Sequence, residues 1–326
     1  MGKNGAEIAK ALVSPINKLI DCVKDACGKI YEPVHVKRMA KAEAFAINTI
    51  QGAIGSNPAL AQKYNGGIIQ IDNKELNGLA MRSAERSLYQ EMLKQQNLEC
   101  VVAKTYGLLD GEPDVPDEPV GQDWMSRFIN SVETISDEDM QLLWAKVLAG
   151  EVKKPKSYSL RTLENLKNLS KEEALLFQDL SKYIIKKDDE STGYFVSEKE
   201  LNTNKEFDLS QLLRLSDCGI INDMSFLSAT YKFPPADKDG FHNNEIAIIC
   251  KNVTAVEQSI SFQIFPLTTF GNNLMTIMES ETSTEYLIKF AKYLSRRSTY
   301  IEVKVHKILG GEEGSFCYDD QDLIAE

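Results

Sequence analysis

Residues 123–183 read DWMSRFINSVETISDEDMQLLWAKVLAGEVKKPKSYSLRTLENLKNLSKEEALLFQDLSKY, and three helices can be drawn on them with their ends marked. Ser136 followed by Asp139 has the spacing of a reciprocal N-terminal cap. Met140, Leu143, Trp144, Val147 and Leu148 then recur on one helical face. Gly150 stands where a chain can leave a helix through a left-handed turn. Ser170 with Glu173 is a second cap, opening a helix with Ala174, Phe177, Leu180 and Ile184 on its apolar side. Between them, past the Pro155 break, Leu160, Leu163, Leu166 and Leu169 stripe a shorter helix. The expected core of this region is Trp124, Leu143, Trp144, Val147, Leu148 and Leu163. Its residues are apolar, capping or turn residues, so they specify packing and no reaction.

The whole chain has 326 residues, 43% hydrophobic and 26% charged, with a formal net charge of −11. That is ordinary for a globular protein and long enough for two domains. The acidic balance weighs against general nucleic-acid binding, which needs cationic surface to displace condensed counterions. Six cysteines are scattered without a C-x-x-C pair, which argues against a zinc or redox motif and for reduced thiols. No apolar run approaches the roughly 20 residues of a membrane-spanning helix, and the first residues lack an export signal's apolar core. The expected location is cytoplasmic, with peripheral attachment at the inner membrane as the variant.

Outward from the central helices, Glu7–Ile30 is amphipathic, and Ser14-Pro15 suits a cap with proline at the first helical position. Ile16, Leu19, Ile20 and Val23 form its apolar face, a candidate for self-assembly or for a membrane surface. Lys37, Arg38 and Lys41, in an alanine-rich helix over 36–54, are a candidate anion contact. A long helical text runs over 73–106. Residues 110–122, DGEPDVPDEPVGQ, are acidic and interrupted by prolines, and read as an extended linker.

The resulting division is an N-terminal helical assembly region over 1–109, the linker over 110–122, a central helical domain over 123–187, a C-terminal domain over 188–318 and an acidic tail over 319–326. Strands are expected at Tyr194–Val196, Ile246–Cys250 and Tyr300–Val305. A leucine-striped helix, DLSQLLRLSDCGII, leads through Gly219 into an apolar pair. With the later phrase Leu267-Thr268-x-x-Gly271-x-x-Leu274 it resembles winged-helix domains. In DNA-reading versions the recognition helix offers polar side chains to base edges; here it offers Gln211 and Arg214. The expected fold is therefore mainly α, an N-terminal and central helical bundle with a C-terminal α+β domain of winged-helix type.

One further resemblance covers about half the chain. Asp123-Trp124, Trp144-Ala145, Leu148-Ala149-Gly150, Ser159, Leu163, Leu169-Ser170 and Ala174, with the segment Pro33–Ala44, resemble an uncharacterised bacterial domain-of-unknown-function family related to the abortive-infection alpha group. The resemblance implies a setting in phage defence.

Chemistry has no such signal. His35, His242 and His306 lie far apart, without the partners of a metal hydrolase, and no G-x-S-x-G elbow is present. Asp137-Glu138-Asp139 is explained by a helix N-terminus. The expected function is that of a non-enzymatic sensor, scaffold or effector subunit without cofactor, homo-oligomeric and working through assembly, with a phage protein or a defence-system component as a further partner. The two alternatives are a membrane-associated effector and a nucleic-acid-binding regulator.

Overall fold

The computed structural model describes residues 12–27, 74–187, 192–201, 207–222, 227–236, 238–243, 245–278, 283–312, 315–319 and 321–323. The chain divides into two compact units, residues 1–163 and 164–326.

The first unit is built from helices. A two-residue strand β1 (Leu12–Val13) leads into α1 (Pro15–Cys27), with Pro15 at the first helical position, where the missing N–H costs nothing. The long α2 (Lys74–Leu109) is exposed along residues 81–91 apart from the half-buried Leu88 and buries Leu98, Val101, Val102 and Leu109 further on. That buried half lies against α4 (Glu138–Lys153) and α3 (Gln122–Val132). The α4 cap is Asp137, one residue later than the Ser136 expected, and its carboxylate accepts the N–H groups of Asp139 and Met140. A carboxylate accepts two such donors where a hydroxyl serves one less well. Gly150 does not end this helix, which runs on to Lys153. A β-carbon at Gly150 would meet the Tyr158 ring at 2.8 Å, so the glycine serves a close approach.

Residues 110–122, expected to be extended and solvated, are a strap laid on this unit. Val115–Pro116 forms β2, antiparallel to β1, and Val115 and Val120 are buried. Lys153 pairs with Glu112 at 2.9 Å and Lys156 with Glu118 at 2.8 Å. The prolines forbid a helix there, as the sequence implied, but they leave the two valines free to pack.

The helix α5 (Leu160–Lys167) carries the boundary, and α6 (Lys171–Ser181) opens the second unit with both hydrogen bonds of the Ser170–Glu173 box formed. From there on the expected architecture does not hold. The second unit contains an eight-stranded antiparallel sheet in the order β10-β9-β7-β6-β3-β4-β8-β5. In chain order these are β3 (Ile184–Lys187), β4 (Tyr194–Val196), β5 (Ser228–Phe233), β6 (Lys238–His242), β7 (Ile246–Asn252), β8 (Gln258–Pro266), β9 (Ile301–Glu312) and β10 (Ser315–Tyr318). Ile184 belongs to β3 and not to the preceding helix. The leucine-striped α7 (Leu209–Asp217) leads through Gly219, in left-handed conformation, to a single bridge between Ile221 and Leu267 among the described residues, and the next strand, β5, pairs with β8 of the large sheet where a two-stranded wing was expected. The reason lies in the text of β8, where Ile260, Phe262 and Ile264 alternate with exposed Ser259, Ser261 and Gln263. Period-two alternation makes a half-buried strand, and β5 alternates likewise through Tyr231 and Phe233.

The sheet curls. β5 and β7 are five places apart in the strand order, which in a flat sheet would separate them by about 24 Å. Instead the Asn252 amide at the end of β7 donates to the Phe233 carbonyl of β5 at 2.8 Å, and the rings of Tyr231 and Phe241 meet at 5.1 Å. Into this curl α9 (Thr284–Arg297) lays Tyr286, Leu287, Phe290, Ala291, Tyr293 and Leu294. Phe290 meets Phe241 at 5.5 Å and Phe262 at 5.3 Å, both edge-on. Between β3 and β6 the Lys187 ammonium pairs with Asp239 at 2.9 Å, largely buried. The segment after β10 stays on β9: Asp319 N–H donates to Lys307 O and Leu323 N–H to Val305 O.

The Leu-Thr-x-x-Gly-x-x-Leu phrase turns out to dock α8 (Thr269–Ile277) on the chain that leaves α7. Thr268 caps α8 by accepting the Gly271 N–H and donates its hydroxyl to the Gly219 and Ile220 carbonyls. A β-carbon on Gly271 would collide with the Ile220 carbonyl oxygen, a backbone atom that cannot rotate away. Gly271→Ala is therefore expected to cost about 2–3 kcal/mol. Gly107→Ala, on an exposed helical position with nothing within 4 Å, is expected to stabilise by roughly 0.5–1 kcal/mol. Urea melts of the two variants check both signs, and equal shifts would refute the packing given to Gly271.

Candidate functional site

In the first unit, α1, the strap and α3 enclose a groove of about 590 Å³. Its walls are the α1 side chains Asn17, Lys18, Asp21, Cys22 and Asp25, with Asp117 and Val120 from the strap and Met125 from α3. Lys18 is nearly buried, and its ammonium donates to the Pro116 carbonyl at 2.9 Å. Burial lowers its pKa, and the nearby Cys22 thiol and the Asp117 and Glu118 carboxylates oppose that shift. Burial also pushes the Cys22 thiol above its ordinary value. A raised thiol is a poor nucleophile at neutral pH, so Cys22 is not activated. Lys18 holds the strap against α1.

The expected face of α1 lies inside this unit. Leu19, Ile20 and Val23 are buried and Ile16 is half-buried, with α2, α3 and α4 as neighbours. The face is thus spent on helices of its own chain and is not offered to lipid or to another copy. Lys37, Arg38 and Lys41 fall outside the described residues. Trp124, Leu143, Trp144, Val147, Leu148 and Leu163 are all buried. Trp124 donates its indole N–H to Tyr158 O at 2.8 Å and stacks on Phe128 at 5.3 Å. Phe128 meets Trp144 edge-on at 5.5 Å. Trp144→Ala is expected to cost about 3–5 kcal/mol, and a melt within a degree of the native protein would refute that role.

A second structural anchor was not legible from the sequence. Glu151 is buried on α4, and its carboxylate accepts the backbone N–H groups of Lys156 at 2.6 Å and Tyr158 at 3.1 Å. Lys156 has φ of 70°, in the left-handed region, so the carboxylate holds a strained turn. Burial raises the Glu151 pKa above 4.5, and the backbone donors oppose the shift. The fold therefore favours the protonated form. The resulting stability is full below pH 4.5 and declines as pH rises through the raised value. Glu151→Gln should flatten that decline in thermal melts, whereas Glu151→Ala should cost about 2–3 kcal/mol through the lost acceptor. An unchanged pH profile in the glutamine variant would contradict the assignment.

In the second unit, α7 offers a different surface from the one expected of a recognition helix. Gln211 closes a capping box with Asp208, accepting the Asp208 N–H at 2.9 Å. Arg214 faces Glu173 of α6 at 3.7 Å. Both polar side chains have partners in this chain. Leu212 and Leu215 are buried, and Leu209 and Leu213, one turn apart, are 62% and 43% exposed. Cys218, at the end of this helix, is a thiol pushed up to about 12 by burial and by the Glu173 carboxylate. Four leucines in seven residues are too many for one buried stripe, and that surplus was the signal in the sequence.

His242 and His306 are nearly buried on the two strands that flank β7, each in register with Ala247. His306 Nδ1 lies 3.1 Å from Gln321 O. Among the described residues no group of three or more His, Cys, Asp or Glu side chains is placed to hold a metal ion. Among them, too, no helix is long and apolar enough to cross a membrane.

Comparison with known proteins agrees with the resemblance at its coarser level. A family model described as "Protein of unknown function (DUF2806)" matches residues 81–291. No curated protein and no solved structure matches the chain.

Proposed function

The chain belongs to the DUF2806 family of proteins of unknown function, and from that premise we propose that it is a non-enzymatic subunit that works by protein assembly. The observation that carries this reading is the α7 surface. Leu209 and Leu213 face solvent on a helix whose Gln211 and Arg214 are engaged within the chain. Exposed leucines one turn apart suit an apolar contact with another polypeptide, and base reading would need the polar side chains that this helix has committed. The resemblance of the central helices to the abortive-infection alpha group makes phage defence the setting, with the subunit as sensor, scaffold or effector.

Self-assembly is the first form of this reading, because most soluble oligomers are closed symmetric assemblies of one chain. Light scattering of the native protein at about 10 µM should give a whole multiple of 36.5 kDa. Leu209→Lys with Leu213→Lys should return the mass to one chain at an unchanged melting temperature. A native mass of one chain would overturn the self-assembly reading. Cells carrying the native gene should plate phage less efficiently than cells carrying the double variant, and equal plating would remove the defence setting.

A further inference from the structure

Three turns of the second unit meet at one end of the curled sheet. The β5–β6 turn exposes Pro234 and Pro235, the β7–β8 turn exposes Val253 and Val256, and the α9–β9 turn exposes Tyr300. They are joined by hydrogen bonds. Asn252, fully buried, donates through its amide to Phe233 O and to Val256 O, both at 2.8 Å. Its side-chain oxygen accepts the Thr254 N–H and hydroxyl. Val253 N–H donates to Tyr300 O at 3.0 Å. The described residues of the three turns are therefore joined in one knuckle, and its apolar side chains are exposed. Val253, Val256 and Tyr300 are 57%, 67% and 56% exposed, although each is of a kind that folding usually covers.

The charge around this knuckle differs from that of the chain. The chain as a whole carries −11. At this end the described carboxylates Asp239, Glu257 and Glu302 are each paired with a lysine, namely Lys187, Lys232 and Lys304. Lys251 and Arg296 then remain as exposed cations, while Arg297 lies over the Tyr293 ring at 5.2 Å and donates to Ser261 O. We propose that this knuckle docks on an anionic lipid surface, with Val253, Val256 and Tyr300 entering the headgroup region and Lys251 and Arg296 facing the lipid phosphates.

Two physical arguments favour lipid over a folded partner. The apolar groups stand on convex turns, which a protein could cover only with a matching cavity, whereas a bilayer interface yields to any convex shape. Tyrosine is moreover the side chain that prefers that interface, with its ring apolar and its hydroxyl wet. Because Asn252 already fixes the turn, little conformational entropy is lost on docking. The mode is peripheral and calls for no spanning helix.

Co-sedimentation of the full chain with vesicles tests this. Vesicles of phosphatidylcholine with roughly 30 mol % phosphatidylglycerol should bind the native protein about tenfold better than phosphatidylcholine alone. Binding should weaken as salt rises from about 0.05 to 0.5 M. Val253→Asp with Val256→Asp should lower binding at least about tenfold through the lost apolar contact. Lys251→Gln should lower it by about fivefold while sparing the apolar contact. Both variants change exposed side chains, and an unchanged melting temperature certifies the fold; Tyr300→Asp replaces either one that does not fold. Failure of the native protein to bind the anionic vesicles, or equal binding by the native protein and the valine double variant, overturns the proposal. In the first case the knuckle is left as a protein contact.

Discussion

The second unit depends on one aromatic contact set, the ring of Phe290 held edge-on between Phe241 and Phe262. Phe241 lies on β6 and Phe262 on β8, with β3 and β4 between them in the strand order. A flat sheet would hold such strands too far apart for one side chain to touch both. Edge-to-face packing adds about 0.5–1.5 kcal/mol per pair beyond the area buried, and here it rewards only a curled sheet. The curl then brings β5 to β7, where the Asn252 amide closes the gap. The same closure sets the three turns of the apolar knuckle side by side. Interior packing and the exposed end of the unit thus follow from a single geometric requirement.

The first unit meets a different constraint, the accommodation of charge near apolar helices. Its buried polar side chains answer to backbone groups. Lys18 serves Pro116, Glu151 serves the turn at Lys156, and Gln141 donates to Ile135 O at 2.9 Å. A buried charge left without such partners would cost several kcal/mol. The strap over residues 110–122 is held by Lys18 at Pro116, by the Lys153–Glu112 and Lys156–Glu118 pairs and by the buried Val115 and Val120, which is why an acidic, proline-rich text can lie packed.

The helical half was legible because its signals are local. Ser170 and Glu173 meet within one turn, and Pro15 starts α1 where its missing N–H is tolerated. The sheet was not legible as a whole because its evidence is pairwise and distant. β4 and β7 could be read from their own residues, but β3 takes only Ile184–Lys187 directly after a helix and reads as the end of it. Its strand character comes from β4 and β6, and the β6 partners, Phe241 and His242, stand far along the chain. The winged-helix likeness drew on the order of helix and strands and on the phrases around Gly219 and Gly271; Gly219 takes a left-handed conformation and Gly271 a close approach to Ile220, and the strands that follow belong to the large sheet. The chain beyond them is where the likeness ends, because no spacing near either glycine encodes an eight-stranded partner. On α7 the candidate polar residues were visible, but their engagement with Asp208 and Glu173 was a matter of three-dimensional placement.

The ion pair between Lys187 and Asp239 carries a consequence for alignment. β3 and β6 share only two residue pairs, Lys186 with His242 and Lys187 with Phe241. Two rungs give little apolar patterning with which to choose between neighbouring alignments, and a slip of one residue would turn every side chain of β3 to the opposite face. Such a slip would leave Asp239 inside the unit without its ammonium, and would send Lys187 outward. The penalty for an uncompensated buried carboxylate is larger than the gain from any alternative rung. The pair therefore acts as a key that fits one alignment, at a seam of only two rungs.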